Sequence, residues 1–427
     1  MKSYASFTAS AVLICMLLIA ALAVPSLAEG TAPVDYAAAL RLDMASETAK
    51  AEVTVRSFID GDTTHFYAPS DVTAEGVLSG RYLAVNTPES TGKIEPYGKK
   101  ASAYTREKLQ SAVSIFIESD DAEWHRDSNG TRYLVWVWYQ PEKGAEYRNL
   151  NVELLQEGLA KANSSGQNRY GDTCMAAIAQ AKAQKLNLYS DQPDPDFYYG
   201  EAIELTLREL RLHPQAYEGM KVAFTGVVTM NSNNSVYVEA FDAETELYFG
   251  MPVYYGYNLS GGGMEVLHIG NEVRIVGTLQ FYEVGGIYQI SGITYRMMKP
   301  NDPGNIQKLS EGHSPACVEM KLDDLLDGTV TLAEEDGSGE YSRAELALAT
   351  SIQTEKLTVT GVAQLDSGWL LLCTDGSQEI TVRTAALPED GDALPERTVK
   401  VRGIVDLYNG MYQIKAFSPD GITILND

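Results

Sequence analysis

Alternating hydrophobic and polar residues, broken by turn residues, dominate the first part of the chain. Residues 52–59 and 132–139 are rich in β-branched and aromatic side chains and predict two strands. Between them, residues 101–112 have the composition of a helix, and two further helical stretches follow at residues 151–162 and 172–186. This order predicts a small β-barrel that carries helices.

The rest of the chain contains an internal repeat. The matching pairs of segments are 224–228 with 359–363, 273–277 with 399–403, and 286–290 with 410–414. In both copies the second and third segments are separated by hairpins of nearly the same length. The repeat predicts two copies of one five-stranded barrel similar to the OB-fold.

The predicted fold class is therefore mainly β with some α: an OB-type five-stranded barrel with helices, followed by two tandem OB-like β-barrels. The proline-broken acidic stretch at residues 192–196 marks a linker, because each proline restricts the residue before it. The predicted division is a signal peptide at 1–28, an N-terminal domain at 35–191, a linker at 192–200, an OB-like domain at 201–300, a linker at 301–340 and a second OB-like domain at 341–427.

The N-terminus has the features of an export signal. A cation at Lys2 precedes an apolar run at residues 11–24, and the small residues Ser26 and Ala28 follow in the pattern that signal peptidase prefers. An uncleaved membrane anchor is the alternative, although the run is shorter than the ~20 residues that a spanning helix needs. We expect a secreted protein with no stable membrane span after cleavage.

Charge and cysteine content limit the possible functions. The net charge of −25 opposes the binding of a polyanion, but residues 45–191 carry only about 16 cations and 20 anions, so most of the acidity lies downstream. Three cysteines remain after the predicted cleavage, which excludes a dense disulfide framework but allows one bridge, such as Cys317 to Cys373.

Two acidic residues end the first predicted strand. Asp60 and Asp62 are two positions apart, so both carboxylates can point to the same side of the chain. Taken alone, this pair is typical of an ordinary solvated turn. A second charged motif follows at residues 81–89, where Arg81 and Glu89 flank a β-like run and Glu89 comes directly after a Thr-Pro corner.

With these motifs the chain resembles the staphylococcal nuclease family, whose pattern is a GDT motif, then an arginine, then a DTPE motif. The resemblance continues through further ordered blocks at residues 97–105, 129–134, 156–161 and 181–190. Six blocks in the same order over about 140 residues make this match specific. It implies a phosphodiester hydrolase that acts on DNA or RNA.

The resemblance also implies a calcium site. Asp62 would be the chief ligand, with Asn86 and the carbonyl of Thr87 as further oxygen donors, which hard cations prefer. The family has an aspartate where this chain has Asn86. The amide keeps an oxygen donor but removes one negative charge, so we expect weaker calcium binding than in the family.

The remaining implied roles are catalytic. Glu89 would activate the attacking water as general base, while Arg81 and Arg132 would grip the phosphate and neutralise the charge that develops on it. Family members leave a 3′-phosphate. The turn before Arg132 is one residue longer than in the family, so an alternative alignment places Thr131 in this position; we prefer Arg132, because the following strand fixes side-chain direction. The family's nucleotide-holding lysine and tyrosines are not evident.

Two hypotheses follow. The leading one is a secreted calcium-dependent nuclease, and the alternative is a noncatalytic extracellular binding protein with a degenerate nuclease domain, for which Asn86 is the best support. The downstream barrels could bind a partner, a cell wall or an oligonucleotide. Their aromatic residues are expected mainly to fill cores or cross-strand clusters, since cations are scarce there.

Overall fold

The fold is known from a computed structural model that describes residues 32–425, except 91–93, 233, 257–264, 284, 294–304, 335–336, 366, 389–393 and 419. The predicted signal peptide at 1–28 lies outside the described residues. Within the described part of the chain, no helix is long and apolar enough to cross a membrane.

The N-terminal barrel closes from five strands. They are β1 (Lys50–Phe58), β2 (Thr63–Tyr67), β3 (Val77–Tyr82), β5 (Ser114–Glu118) and β6 (Tyr133–Gln140), with a short β4 (Val85–Asn86) before the first long helix. The strand order is β3-β2-β1-β5-β6, and β3 pairs with β6 in parallel to close the barrel. This is the strand order that an OB-fold requires, so the barrel predicted from the alternating pattern is confirmed.

Helices cover this barrel in the three regions that the sequence predicts. After a short α1 (Tyr36–Ala39), they are α2 (Gly98–Gln110), α3 (Leu150–Gln156) and α4 (Gly171–Ala183), with two-residue strands β7 (Arg148–Asn149) and β8 (Lys161–Ala162) on either side of α3. The second helix is shorter than predicted. Gly158, which follows its end, has a φ of +65° and lies so close to the Leu186 carbonyl that only glycine fits.

Large aromatic side chains fill the core beneath α3 and α4. Trp136 and Trp138 are fully buried, and their indole N–H groups donate to Asp120 and Glu118 at 2.9 Å. Both rings contact Tyr170 edge-on, because residues two apart in a strand share one face. Each buried donor is therefore paired, as burial requires.

The two downstream barrels have the same strand order as the first. In the first downstream barrel the strands are β10 (Lys221–Ser232), β11 (Ser235–Asp242), β12 (Leu247–Tyr254), β13 (Glu272–Tyr282) and β14 (Ile287–Ser291). In the second they are β20 (Leu357–Leu365), β21 (Gly368–Thr374), β22 (Glu379–Thr384), β23 (Thr398–Tyr408) and β24 (Met411–Ala416). Pairing of β10 with β13, and of β20 with β23, closes the rings. The predicted fold class, mainly β with some helix, is confirmed.

The repeated glycines explain part of the sequence repeat. A methyl group on Gly277 of β13 would lie 2.8 Å from the Ser291 carbonyl oxygen, and one on Gly403 of β23 would meet the Lys415 carbonyl carbon at 2.7 Å. In both barrels, therefore, the backbone of the following strand approaches too closely for any side chain at this position.

The segment at 301–340, predicted as a linker, has secondary structure in its described part. Strand β15 (Gln307–Ser310) pairs with β13, whereas β16 (Val318–Met320) pairs with β19 (Ser351–Thr354) of the second barrel's sheet. A separate hairpin, β17 (Thr329–Glu334) with β18 (Gly337–Ser342), contributes Leu332 to the core of the first downstream barrel. The segment thus pairs with both barrels and does not merely separate them.

Further short helices and strands complete the described structure. They are β9 (Ile203–Glu204), α5 (Leu207–Leu212), α6 (Pro214–Tyr217), α7 (Leu322–Leu326), α8 (Arg343–Ala347) and β25 (Ile422–Ile424).

Buried polar contacts hold the two downstream barrels together. The carboxylate of Glu239 on β11 accepts hydrogen bonds from the backbone N–H groups of Ala316 and Ser351 at 2.8 and 2.6 Å. The guanidinium of Arg211 donates to the carbonyls of Gly250 and Leu348. Because both charged groups are buried, separating the barrels would leave them exposed without these partners.

The disulfide considered between Cys317 and Cys373 is absent. Both cysteines are free, as is Cys174. Cys373 lies inside the core of the second downstream barrel, where burial raises the pKa of its thiol to about 12, while Cys317 accepts a hydrogen bond from Arg402 at its edge. The two side chains belong to different environments and do not meet.

Candidate active site

The acidic turn between β1 and β2 is buried instead of solvated. Asp60 and Asp62 are 9% and 4% exposed, and the carboxylate of Asp60 accepts the Asp62 backbone N–H at 3.0 Å. A methyl group on Gly61 would lie 2.9 Å from the Ala101 Cβ of α2 and from Thr87 Cγ2, so glycine is required where this turn passes under the helix. The Thr105 hydroxyl then holds the Gly61 carbonyl at 2.6 Å.

Asp62 is the centre of the site. One of its carboxylate oxygens accepts the Thr87 backbone N–H at 2.7 Å, and the other forms an ion pair with Arg81 Nη1 and accepts from the Thr63 hydroxyl at 3.2 Å. Arg81 comes from β3, directly opposite Thr63 in the β2–β3 pairing. The barrel thus brings together a carboxylate from the β1–β2 turn and a guanidinium from the next hairpin.

Asn86 faces the same guanidinium. Its side-chain oxygen accepts a hydrogen bond from Arg81 Nη2 at 2.8 Å, while Nη1 of the same group meets Asp62. The side-chain oxygens of Asp62 and Asn86 therefore converge on one cationic group. Burial lowers the pKa of Arg81, and the carboxylates of Asp60 and Glu89 act in the opposite direction.

Glu89 lies exposed at the rim of this cluster, just after the Thr87-Pro88 corner. Partial loss of solvent raises the pKa of its carboxyl group, and the negative charges of Asp60 and Glu95 add to the increase, while Arg81 and Arg132 oppose it. Gly98, at the start of α2, lies against this corner: a methyl group there would overlap the Glu89 carbonyl. The helix therefore fixes the backbone that carries Glu89.

Arg132 adds positive charge to the same cluster. It lies immediately before β6, and its Nε donates to Asp127 at 2.8 Å, while Asp127 also accepts the backbone N–H groups of Thr131 and Arg132 at 3.2 Å. Burial alone would raise the pKa of Asp127, but the hydrogen bonds from Arg132 outweigh it and lower that pKa. The longer turn thus supplies its own carboxylate to orient the arginine.

We expect Asp127 in the turn before Arg132 to contribute to stability in a way that depends on pH. Because the pKa of Asp127 is lower in the folded state, its contribution is present above the unfolded pKa and is lost as the pH falls through the folded pKa. Asp127→Asn should lower the free energy of unfolding by about 1 kcal/mol at neutral pH, and the difference should shrink at an acid pH below the ordinary pKa of aspartate. Urea unfolding at both pH values measures it, with exposed Asp71→Asn as the matched control. A difference that persists unchanged in acid would contradict this account.

All six site residues predicted from the sequence lie around the barrel end that carries Asp62. Arg81 contacts Asp62 and Asn86 directly, and Thr87 bonds to Asp62 through its backbone. Glu89 and Arg132 act electrostatically on the same cluster. Thr131, the alternative to Arg132, is exposed and bonds to Asp127 through its backbone.

Three residues in or near the candidate site were not predicted from the sequence as site residues. Asp60 was noted only as part of an ordinary turn, yet burial raises the pKa of its carboxyl group beside Arg81. The sequence of the longer turn indicated no role for Asp127. Asp194, within the predicted linker, accepts the Tyr97 backbone N–H at 2.5 Å where α2 begins. A proline-flanked aspartate carries no sequence signal for such a distant partner.

The side chains around Asp62 include oxygen atoms of the kind that hard cations prefer. Asp62 and Asn86 present oxygen atoms to a single positive group, and the buried Thr87 hydroxyl beside them has no hydrogen-bond partner. No group of three or more His, Cys, Asp or Glu side chains suited to a metal occurs among the described residues. The site therefore offers one carboxylate and one amide oxygen, which are donor types that a hard cation such as calcium prefers.

A family model matches part of this chain. The model of the staphylococcal nuclease homologue family matches residues 80–191. The matched range contains Arg81, Asn86, Thr87, Glu89 and Arg132, and it runs from β3 past the end of α4 at Ala183. The part of this chain at residues 80–191 is thus a staphylococcal nuclease homologue domain.

Proposed function

We propose that this protein is a secreted, calcium-dependent nuclease that hydrolyses phosphodiester bonds of DNA or RNA and leaves 3′-phosphate ends. The observation that carries the proposal is the convergence of Asp62 and Asn86 on Arg81, with Glu89 and Arg132 acting on the same cluster. Secretion is supported by the sequence of residues 1–28, and the product type by the family resemblance.

In this proposal Glu89 removes the proton from the attacking water. Its raised pKa makes it a stronger base than an ordinary carboxylate, and its exposed position leaves it accessible to solvent and substrate. Arg81 and Arg132 bind the phosphate and stabilise the negative charge that develops on its oxygens during attack. Asp127 keeps the Arg132 guanidinium in place.

Calcium would be held by Asp62, Asn86 and the Thr87 carbonyl, and when bound it would add positive charge beside the phosphate. Since Asp62 and Asn86 both contact Arg81 in the structure, the cation and the guanidinium compete for the same oxygens. Arg81 would therefore have to leave these oxygens to contact a substrate phosphate.

The second candidate function is noncatalytic nucleic-acid or partner binding by a degenerate nuclease domain. The observation that favours it is Asn86, which leaves Asp62 as the single carboxylate among the proposed metal ligands. Against it stands the partly desolvated charged cluster, because a scaffold has no need to hold such groups close together.

Asn86→Asp separates the two candidates. The added carboxylate should tighten calcium binding by on the order of tenfold or more, because affinity follows ligand charge, and activity at limiting calcium should rise with it. Calorimetric titration with calcium and a cleavage assay measure the two effects. Gln184→Glu adds the same charge at the exposed C-terminal end of α4 and should change neither. No calcium response in either the parent chain or Asn86→Asp would support the noncatalytic function.

A further inference from the structure

The first downstream barrel touches the loop that carries the proposed general base. Gln280, on β13, donates a side-chain hydrogen bond to the carbonyl of Ser90 at 3.1 Å, and Ser90 directly follows Glu89. Two contacts beyond the site support this arrangement: Glu283, next to the β13–β14 turn, forms an ion pair with Arg106 of α2, and Gly219 lies beside the Lys99 side chain. The β13–β14 hairpin thus borders the active site.

The corresponding hairpin of the second downstream barrel lies beside the first. A methyl group on Gly286, at the β13–β14 turn, would be 3.6 Å from Leu407 Cδ2 on β23, and Ile287 packs against the core of the second barrel. The two repeat copies therefore place their equivalent hairpins, β13–β14 and β23–β24, in direct contact. Their outer surfaces join into one face that begins at the Glu89 loop.

Exposed aromatic and apolar side chains lie on these adjoining hairpins. Tyr282 is 42% exposed, Tyr408 is 45% exposed and Met411 is 64% exposed, while the guanidinium carbon of Arg383 lies 5.9 Å from the centre of the Tyr408 ring. Burial raises the pKa of Tyr282, and the neighbouring Tyr408 adds to this increase. We call these four residues the tyrosine patch.

The pleat of β13 places Tyr282 on the same side of the strand as Gln280. Gln280 and Tyr282 are two residues apart, so their side chains leave the same side of the strand about 7 Å apart. The side chain of Gln280 contacts the loop that carries Glu89, and that of Tyr282 lies close to Tyr408. Tyr408 pairs with Met411 across a turn in which Asn409 and Gly410 both have positive φ, as a tight hairpin turn requires.

We infer that the tyrosine patch binds the bases of a single-stranded nucleic acid whose phosphate occupies the neighbouring nuclease site. Exposed tyrosine rings stack on bases of any sequence, and a guanidinium over a ring adds an attraction for the backbone or the base. The face of a ring carries no net charge, so the stacking contact itself does not require cations in the barrel. A duplex hides its base faces, and for this reason the ligand is single-stranded. The inference rests on the proposed function, since the ligand is assigned from the adjoining site.

Binding measured without cleavage tests the inference. In a Glu89→Gln chain with calcium present, fluorescence anisotropy of a labelled 15-nucleotide oligothymidylate should show affinity about tenfold weaker for each of Tyr282→Ala and Tyr408→Ala. Phe241→Ala is the matched control, because Phe241 is an exposed aromatic of the same barrel outside both hairpins. Unchanged affinity in both tyrosine variants, or equal loss in the control, would overturn the inference.

Substrate length separates this inference from the proposed function. In chains that retain Glu89, Tyr282→Ala and Tyr408→Ala should lower kcat/KM for the 15-nucleotide substrate about tenfold and leave that for a thymidylyl dinucleotide unchanged, because the shorter substrate ends before the patch. Suppose that the parent chain cleaves neither substrate but the tyrosine variants bind the oligonucleotide more weakly. This result would reject the nuclease function and support binding by the tyrosine patch. If the parent chain cleaves both substrates and neither tyrosine variant changes kcat/KM at either length, binding by the tyrosine patch is rejected while the nuclease function is retained.

Discussion

Replacement of Glu89 by Gln is expected to slow cleavage by about 10²- to 10⁴-fold, the range that a positioned general base contributes. Glutamine has nearly the same shape but accepts no proton at neutral pH. Since Glu89 is exposed and its backbone is fixed by α2, the variant should fold like the parent chain. Single-turnover rates at saturating calcium measure the effect.

The matched control for this substitution is Glu95→Gln. Glu95 belongs to the same loop, and its negative charge also raises the pKa of Glu89. Removing that charge should alter the rate only severalfold, by lowering the pKa of the base. If the Glu89→Gln chain cleaves at a rate within a few fold of the parent chain, Glu89 is not the general base.

Replacement of Arg132 by Lys is expected to lower kcat by about 10²- to 10³-fold, comparable to the loss of one preorganised donor to a developing anion. Lysine keeps the positive charge but lacks the planar fork that binds a phosphate through two nitrogens while Nε remains bonded to Asp127. Stability should change little, because Arg132 is partly exposed and the turn keeps its backbone bonds to Asp127.

Thr131→Ala is the control that tests the alternative alignment. Thr131 is exposed and bonds to Asp127 through its backbone N–H, which alanine retains. We expect near-normal kcat and KM for this variant. Loss of activity in Thr131→Ala together with normal activity in Arg132→Lys would show that the longer turn had been aligned incorrectly.

The sequence predicted those parts of the fold that depend on local periodicity. Alternation identified the strands of the N-terminal barrel, and the repeat identified two further barrels because each copy must pack the same strands against itself. Close backbone approach explains why Gly277 and Gly403 recur in equivalent positions. The motif around Arg81 and Glu89 could be located because its residues are near one another along the chain.

Contacts between distant segments could not be predicted in this way. No local pattern pairs Asp194 with Tyr97, or places Gln280 against Ser90. The segment at 301–340 looked like a linker because its turn residues are frequent and its strands are short, and the pairing partners that give these strands their structure lie in other domains.

The turn at Asp60 and Asp62 shows the same limit within the site. Acidic residues beside a glycine are typical of a solvated turn, so the composition alone indicated exposure. The position of α2 buries the turn through Ala101 and Thr105, and Arg81 then balances its charge. Whether a carboxylate is buried in a charged cluster or lies in an ordinary solvated turn is thus decided by tertiary packing.

The most direct test of the nuclease claim is cleavage of end-labelled single-stranded DNA and RNA by the purified chain in calcium and in a calcium chelator. The proposed site predicts degradation of at least one substrate in calcium, fragments ending in a 3′-phosphate, and loss of cleavage on chelation. Intact DNA and RNA after incubation in calcium with a demonstrably folded chain would contradict it.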